Sequence, residues 1–115
     1  MSGASVRGYW RKPLSPRGFR EACARLEQIH PDASETSAKR SPERNERVGG
    51  NPESKHLIGM ARDYVWDVEP DEEDQRAFEH EAKILGLWAR YHDGHLHVQG
   101  LPPGEIPAWW MERYK

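Results

Sequence analysis

The sequence predicts an α+β domain in which a small antiparallel sheet carries helices packed mainly on one side. Three observations predict this class. Apolar residues recur at helical spacing in two segments, short apolar runs resemble strands, and an Asp-Gly pair separates two of those runs. At 115 residues the chain has room for one domain and a modest core. We expect a loosely ordered arm over residues 1–14 and a single domain over 15–115.

The first helix is predicted to begin at Ser15, an N-cap residue followed by a proline at the first helical position. It should end near His30, because a residue that precedes proline is pushed out of the α region. We expect the His30 side chain to face solvent. The apolar positions at helical spacing are Phe19, Cys23, Leu26 and Ile29. An edge strand is predicted from Thr36 to Arg40, and a short helix is predicted to start at Ser41.

The second half of the chain supplies the remaining elements. A strand is predicted from Met60 to Trp66, and a helix ending at Gly86 should follow it. The predicted apolar face of that helix contains Phe78, Ala82, Ile84 and Leu85. Residues 87–91 and 96–99 should form a hairpin, because Asp93-Gly94 is a strong turn pair. The C-terminal tail, with two adjacent tryptophans, is predicted to lie back across the domain.

Composition excludes several functions. The hydrophobic fraction is 36% and the mean hydropathy is -0.99, so the small core must depend on its aromatic residues. The net charge of -2 argues against a nucleic-acid partner. No segment is long and apolar enough for an export signal or a membrane span, so we expect synthesis in the cytoplasm without membrane insertion. Cys23 is the single cysteine and cannot form an internal disulfide. We expect a monomer.

Two stretches that are far apart in the sequence contain residue types that bind metal ions. His56 and Asp63 flank a bend at Gly59, and His95-Leu96-His97 would point both imidazoles to one face of a strand. Nitrogen and oxygen ligands suit Zn²⁺, and three protein ligands leave a fourth position open. We therefore interpret His56, Asp63 and one of the two later histidines as a zinc site. The alternatives are a surface pair or a buried hydrogen bond for His56 and Asp63, and ordinary solvent exposure for the two histidines.

The two runs RSPERNERVGG and SKHLIGMARD, followed by HLH, resemble a known signature. It is that of the zinc peptidases that include bacterial D-alanyl-D-alanine carboxypeptidases, vancomycin-resistance D,D-dipeptidases and phage L-alanyl-D-glutamate endolysins. The resemblance covers about residues 36–99 and implies their hedgehog-like α+β fold. The matching positions are Arg40, Ser41, Pro42, Asn45, Val48, Gly49, Gly50, Ser54, His56, Gly59, Ala61, Asp63 and His97.

The resemblance also implies a role for individual residues. His56, Asp63 and His97 would bind Zn²⁺. Arg40 would neutralise a substrate carboxylate or polarise the scissile carbonyl, and Ser54 would hydrogen-bond substrate or orient His56. The alternatives are a surface salt bridge for Arg40 and a capping or turn hydroxyl for Ser54.

The two remaining catalytic groups would lie close to the last ligand. His95 would donate a hydrogen bond to the oxyanion, unless it is a simple exposed imidazole. Many relatives place a carboxylate three residues before the last ligand, where this chain has Gly94. Asp93 is therefore the candidate general base, and its alternative role is the tight turn itself. Relatives also often carry an aromatic residue or Asp after the last ligand, whereas this chain has Val98 and Gln99.

The implied activity is hydrolysis of a peptidoglycan stem peptide beside a D-amino acid, by attack of metal-activated water. Cleavage could be of the D,D-carboxypeptidase or the L,D-endopeptidase type. The enzyme would reach the cell wall after phage-mediated release, as an endolysin, or as part of a virion. The alternative function is a zinc-containing wall-binding or structural module of the same fold without catalysis.

Overall fold

The computed structural model describes residues 13–37, 59–104 and 106–114. Within these residues the chain forms three helices and one four-stranded antiparallel sheet, which confirms the predicted α+β class. The helices are α1 (Pro16–Ile29), α2 (Glu72–Ile84) and α3 (Ala108–Tyr114), and the strands are β1 (Ser34–Ser37), β2 (Ala61–Val65), β3 (Trp88–His92) and β4 (His95–Gln99). The strand order is β1-β2-β4-β3. None of these three helices has the length and apolar character needed to cross a bilayer.

Helix α1 begins and ends where the sequence predicted. The Ser15 hydroxyl accepts a hydrogen bond of 3.0 Å from the Gly18 N–H and so caps the first turn. At the other end, His30 leaves the helical conformation immediately before Pro31. The buried positions of the helix are Phe19, Ala22, Cys23 and Leu26, whereas Ile29 is exposed.

One face of the sheet forms the core with the helices. Leu96 and Val98 of β4 and Tyr64 of β2 are buried in one cluster with Phe19 and Leu26 of α1. These strand residues alternate with polar ones, so the opposite face of the sheet carries the polar side chains. The helices α1 and α2 therefore occupy one side of the sheet, as the sequence predicted.

Cys23 belongs to this core, as the sequence predicted. Burial raises the pKa of its thiol to about 12, although the nearby positive charge of Arg62 opposes the shift. The thiol is consequently neutral at physiological pH and packs as a small apolar group.

Helix α2 is capped by Asp71, whose carboxylate accepts a hydrogen bond of 2.9 Å from the Asp74 N–H. Ala82 is buried and Phe78 packs against the core, as predicted. The prediction that Ile84 belongs to the same apolar face was wrong, because its side chain is exposed. Residue 84 lies about 200° around the helix from residue 82, so it is on the side opposite the core.

The prediction that His30 faces solvent was wrong, because its side chain is mostly buried. Its ring packs against Phe78, with centroids 4.4 Å apart, and against Trp66 at 5.6 Å. Its Nε2 lies 2.6 Å from Glu81 Oε1 on α2. Because α1 and α2 pack side by side, the C-cap of α1 is enclosed by groups that are remote in sequence.

The sheet agrees with the predicted strands in order and approximate length. Strand β1 is an edge strand, but it begins two residues before the predicted start, because Ser34 pairs with Val65. Strands β3 and β4 form the predicted hairpin. Asp93 (φ 50°) and Gly94 (φ 80°) occupy its turn in the left-handed region, which the Asp-Gly pair favours. The short helix predicted from Ser41 lies outside the described residues.

The C-terminal helix α3 returns to the domain, as predicted. Trp110 is 2% exposed and its indole N–H donates a hydrogen bond of 2.9 Å to the Leu14 carbonyl. Leu14 in turn donates its N–H to the Gly100 carbonyl at 2.8 Å. Adjacent Trp109 is 50% exposed. Trp110 thus attaches α3 to the segment before α1, and this segment is itself bonded to the residue after β4.

The two tryptophans provide a matched test of this contact. Trp110→Ala should lower the free energy of unfolding by about 3–5 kcal/mol, because it leaves a cavity in the core. Trp109→Ala should change it by about 0.5 kcal/mol or less, as expected for a surface position. Urea denaturation of both variants measures the difference. Equal losses would contradict the docking of α3.

Candidate metal centre

Asp63 of β2 and His97 of β4 are direct partners across the sheet. Their neighbours Tyr64 and Leu96 also pair, and both are buried against the helices. Strand alternation therefore directs Asp63 and His97 to the face that α1 and α2 do not cover. This antiparallel pairing joins residues 34 positions apart in the sequence.

A carboxylate oxygen and two imidazole nitrogens converge on this face. Asp63 Oδ1 lies 2.8 Å from His97 Nδ1 and 3.7 Å from His95 Nε2. All three side chains are mostly buried. The prediction that both imidazoles of the HLH run point to the same face is confirmed.

The donor atoms fit the chemistry of a zinc ion. Nitrogen and oxygen ligands lie about 2.0–2.1 Å from Zn²⁺, so two ligands of one ion are at most about 4.2 Å apart. Both distances from Asp63 Oδ1 satisfy this limit. Within residues 13–37, 59–104 and 106–114, no group of three or more His, Cys, Asp or Glu is arranged to hold a metal. The predicted third ligand, His56, lies outside the described residues, as do Arg40 and Ser54.

His95 occupies the position next to this pair. Its Nδ1 lies 3.3 Å from the Asp93 carbonyl oxygen, which can only accept a hydrogen bond, so this contact requires a proton on Nδ1. Its Nε2 then faces Asp63. For His95 to donate a hydrogen bond from Nε2, the ring must carry a proton on both nitrogens.

Asp93, the predicted general base, lies in the turn between β3 and β4. Its side chain is 87% exposed, and its Oδ2 is 3.2 Å from His92 Nδ1. The ring of His92 is in turn 4.7 Å from the ring of His95, between centroids. In this conformation the Asp93 carboxylate contacts His92, whose ring lies beside that of His95.

Gln99 is a residue of this site that sequence reasoning did not select. It follows His95 and His97 on the same face of β4, and its side-chain Oε1 lies 2.8 Å from His97 Nε2. The alternation of positions 95, 97 and 99 was the signal that could have identified it. Trp88, the cross-strand partner of Gln99, places its ring edge-on to His97, with centroids 6.1 Å apart.

The fold and this site define the class: a small α+β protein with a paired Asp and His on the open face of an antiparallel sheet. A sequence profile of the Peptidase M15 family matches residues 10–99, so the chain belongs to that family of zinc D-alanyl-D-alanine carboxypeptidase-like enzymes. This confirms the family predicted from the sequence signature. Peptidases of the family are generally zinc-dependent, which supports a metallopeptidase. Comparison with curated proteins and with solved structures gave no match.

The two histidines of β4 can be distinguished by zinc affinity. His97→Ala removes an atom 2.8 Å from Asp63 and should weaken zinc binding by more than the roughly 10–100-fold cost of losing an outer-shell partner. His95→Ala should retain most of the affinity, because His95 is expected to contact substrate. Competition with a chromophoric chelator measures both constants. If only His95→Ala lost the metal, the assignment of His97 as ligand would be wrong.

Proposed function

We propose that this protein is a zinc-dependent hydrolase of peptidoglycan stem peptides, cleaving a peptide bond beside a D-amino acid. The observation that carries the proposal is the 2.8 Å approach of Asp63 Oδ1 and His97 Nδ1 from two different strands. Membership of the Peptidase M15 family supports a zinc peptidase and a peptidoglycan-type substrate. His56 would complete the ligand set, since it matches the family signature.

The residues of the site divide into distinct roles. Asp63, His97 and His56 would hold Zn²⁺, which when bound polarises a carbonyl and makes water a stronger nucleophile at neutral pH. His95, whose Nε2 lies 3.7 Å from Asp63 Oδ1, would hydrogen-bond the carbonyl oxygen as it gains negative charge. Arg40 and Ser54 would bind the substrate carboxylate and backbone. These roles require the peptide to lie along the open face of the sheet.

Arg90 supplies a further positive charge for such a substrate. It is the cross-strand partner of His97 on β3, and it is exposed. Strand pairing places partners on the same face, so Arg90 lies beside the ligand pair. Stem peptides carry free carboxylates, and a guanidinium binds a carboxylate through two parallel hydrogen bonds.

Proton transfer requires an acid-base group, for which Asp93 is our candidate. Its carboxylate lies against His92 at 3.2 Å, so it would have to turn toward the sheet face when substrate binds. Its position in a two-residue turn favours such a movement, because the exposed side chain is not enclosed by the core. A general base contributes typically about 10²–10⁴-fold to the rate.

The exposure of Asp93 also favours a second candidate function. A protein that holds zinc but has no base at the metal would be a wall-binding or structural module rather than an enzyme. The two candidates make opposite predictions about product release from muropeptides.

For either cleavage type, we propose that the protein acts on the cell wall. It would do so after phage-mediated membrane damage, as an endolysin, or as a component of a virion.

Hydrolysis is tested by incubating the purified protein with defined muropeptides and following new amines and product masses. We expect cleavage that a chelator abolishes and added Zn²⁺ restores. Loss of a single alanine would indicate a carboxypeptidase, and internal cleavage an endopeptidase. His97→Ala should be inactive, whereas His80→Ala, an exposed histidine on α2, should retain full activity. A zinc-loaded protein that releases no product would support the non-catalytic module.

The role of Asp93 is tested separately. Asp93→Asn should lower kcat about 10²–10⁴-fold while leaving zinc content unchanged. Asparagine tolerates the left-handed conformation of this turn, so the hairpin should remain intact. Steady-state kinetics with metal analysis measures both quantities. Unchanged kcat would assign the proton transfer to another group.

A further inference from the structure

Gln99 is a buried polar residue at the end of β4. Gln99 is only 5% exposed. Its side chain makes two hydrogen bonds. Oε1 lies 2.8 Å from His97 Nε2, and Nε2 lies 2.8 Å from the Leu101 carbonyl oxygen. Buried amides are costly unless both ends are satisfied, so these contacts hold the side chain in one orientation.

The direction of the Gln99 amide follows from its partners. A backbone carbonyl can only accept a hydrogen bond, so the end of the amide that faces Leu101 must be the NH₂ group. The oxygen then faces His97. Because this oxygen can only accept, His97 must donate, and so its Nε2 must carry a proton.

We propose that Gln99 is a positioning residue that selects the metal-binding nitrogen of His97. This inference rests on the proposed zinc site. With the proton held on Nε2 by Gln99, the lone pair of a coordinating imidazole is on Nδ1, the nitrogen that lies 2.8 Å from Asp63 Oδ1. Gln99 therefore fixes both the tautomer and the ring orientation that Asp63 and His97 need to share one ion. Partners of this kind, which hydrogen-bond the second nitrogen of a ligating histidine, contribute to metal affinity.

Two further contacts support a positioning role. Trp88 packs edge-on against the ring of His97, at an interplanar angle of 69°, so the ring is restrained by packing as well as by the hydrogen bond. Trp88 is also the strand partner of Gln99. The Leu101 carbonyl lies in the segment that follows β4, so the backbone itself determines which way the amide points.

The test compares two substitutions of similar length. Gln99→Met removes the acceptor, and its zinc affinity should fall about 10–100-fold relative to the wild-type protein. Gln99→Glu retains an acceptor oxygen for His97 Nε2 but loses the donor to the Leu101 carbonyl, so its affinity should fall by less than that of Gln99→Met. Thermal unfolding of the metal-free proteins identifies any variant that fails to fold. If the folded Met variant binds zinc as tightly as wild type, the proposal is wrong.

A spectroscopic measurement tests the tautomer directly. Nitrogen-15 spectra of the histidine rings in the zinc-loaded protein should show His97 protonated at Nε2 and coordinated through Nδ1. Coordination through Nε2 would overturn the proposal.

Failure of the proposed function would be recognised differently, as a wild-type protein that takes up no zinc. The spectra of the metal-free protein would then test the contact between Gln99 and His97 by itself. A His97 Nε2 proton that exchanges slowly in wild type and rapidly in Gln99→Met supports the contact. An Nε2 proton that exchanges equally fast in both proteins contradicts it.

Discussion

The antiparallel pairing of β2 with β4 is the constraint on which the site depends. Tyr64 and Leu96 are paired and buried against the helices, so Asp63 and His97, each one residue away, must face the other side. A slip of one residue would turn a whole strand over and separate the carboxylate from the imidazole. The Gly100 N–H, which donates to the Met60 carbonyl at 3.0 Å, extends the pairing beyond the strand ends and opposes such a slip. Core burial and site geometry are thus consequences of the same register.

The placement of the helices determines which face of the sheet stays open. Because α1 and α2 pack on one face, the polar residues of β4 lie on the face that these helices leave open. The hairpin then brings Trp88 and Arg90 of β3 alongside the same residues. Half of the residues of β2 and β4 therefore pack in the core, and the other half form the candidate site on the open face.

Local features were predictable from the sequence because they depend on near neighbours. The Ser15 cap, the break at Pro31 and the Asp93-Gly94 turn all follow from the conformational preferences of one or two residues. The common face of His95 and His97 follows from strand alternation alone. Their proximity to Asp63 did not follow from any local pattern. It was predicted from the metal-binding chemistry of these residue types and from the resemblance of the signature to a peptidase family.

Other features could not be predicted because they depend on contacts between distant segments. His30 follows the end of a helix and was expected to be exposed, but Trp66, Phe78 and Glu81 enclose it. The importance of Gln99 depends on the Leu101 backbone, which orients its amide. The sequence shows that residue 99 can form side-chain hydrogen bonds, but it does not show which groups are its partners. The sequence therefore predicted which polar residues share a face of the sheet better than the groups that orient them.

Anomalous diffraction at the zinc edge, from crystals grown with one equivalent of Zn²⁺, tests the central claim most directly. The account predicts a single strong peak within about 2.0–2.2 Å of an Asp63 carboxylate oxygen and of His97 Nδ1, with the His56 imidazole as the third protein ligand. A zinc peak bound elsewhere, with Asp63 and His97 still hydrogen-bonded to each other, would contradict it.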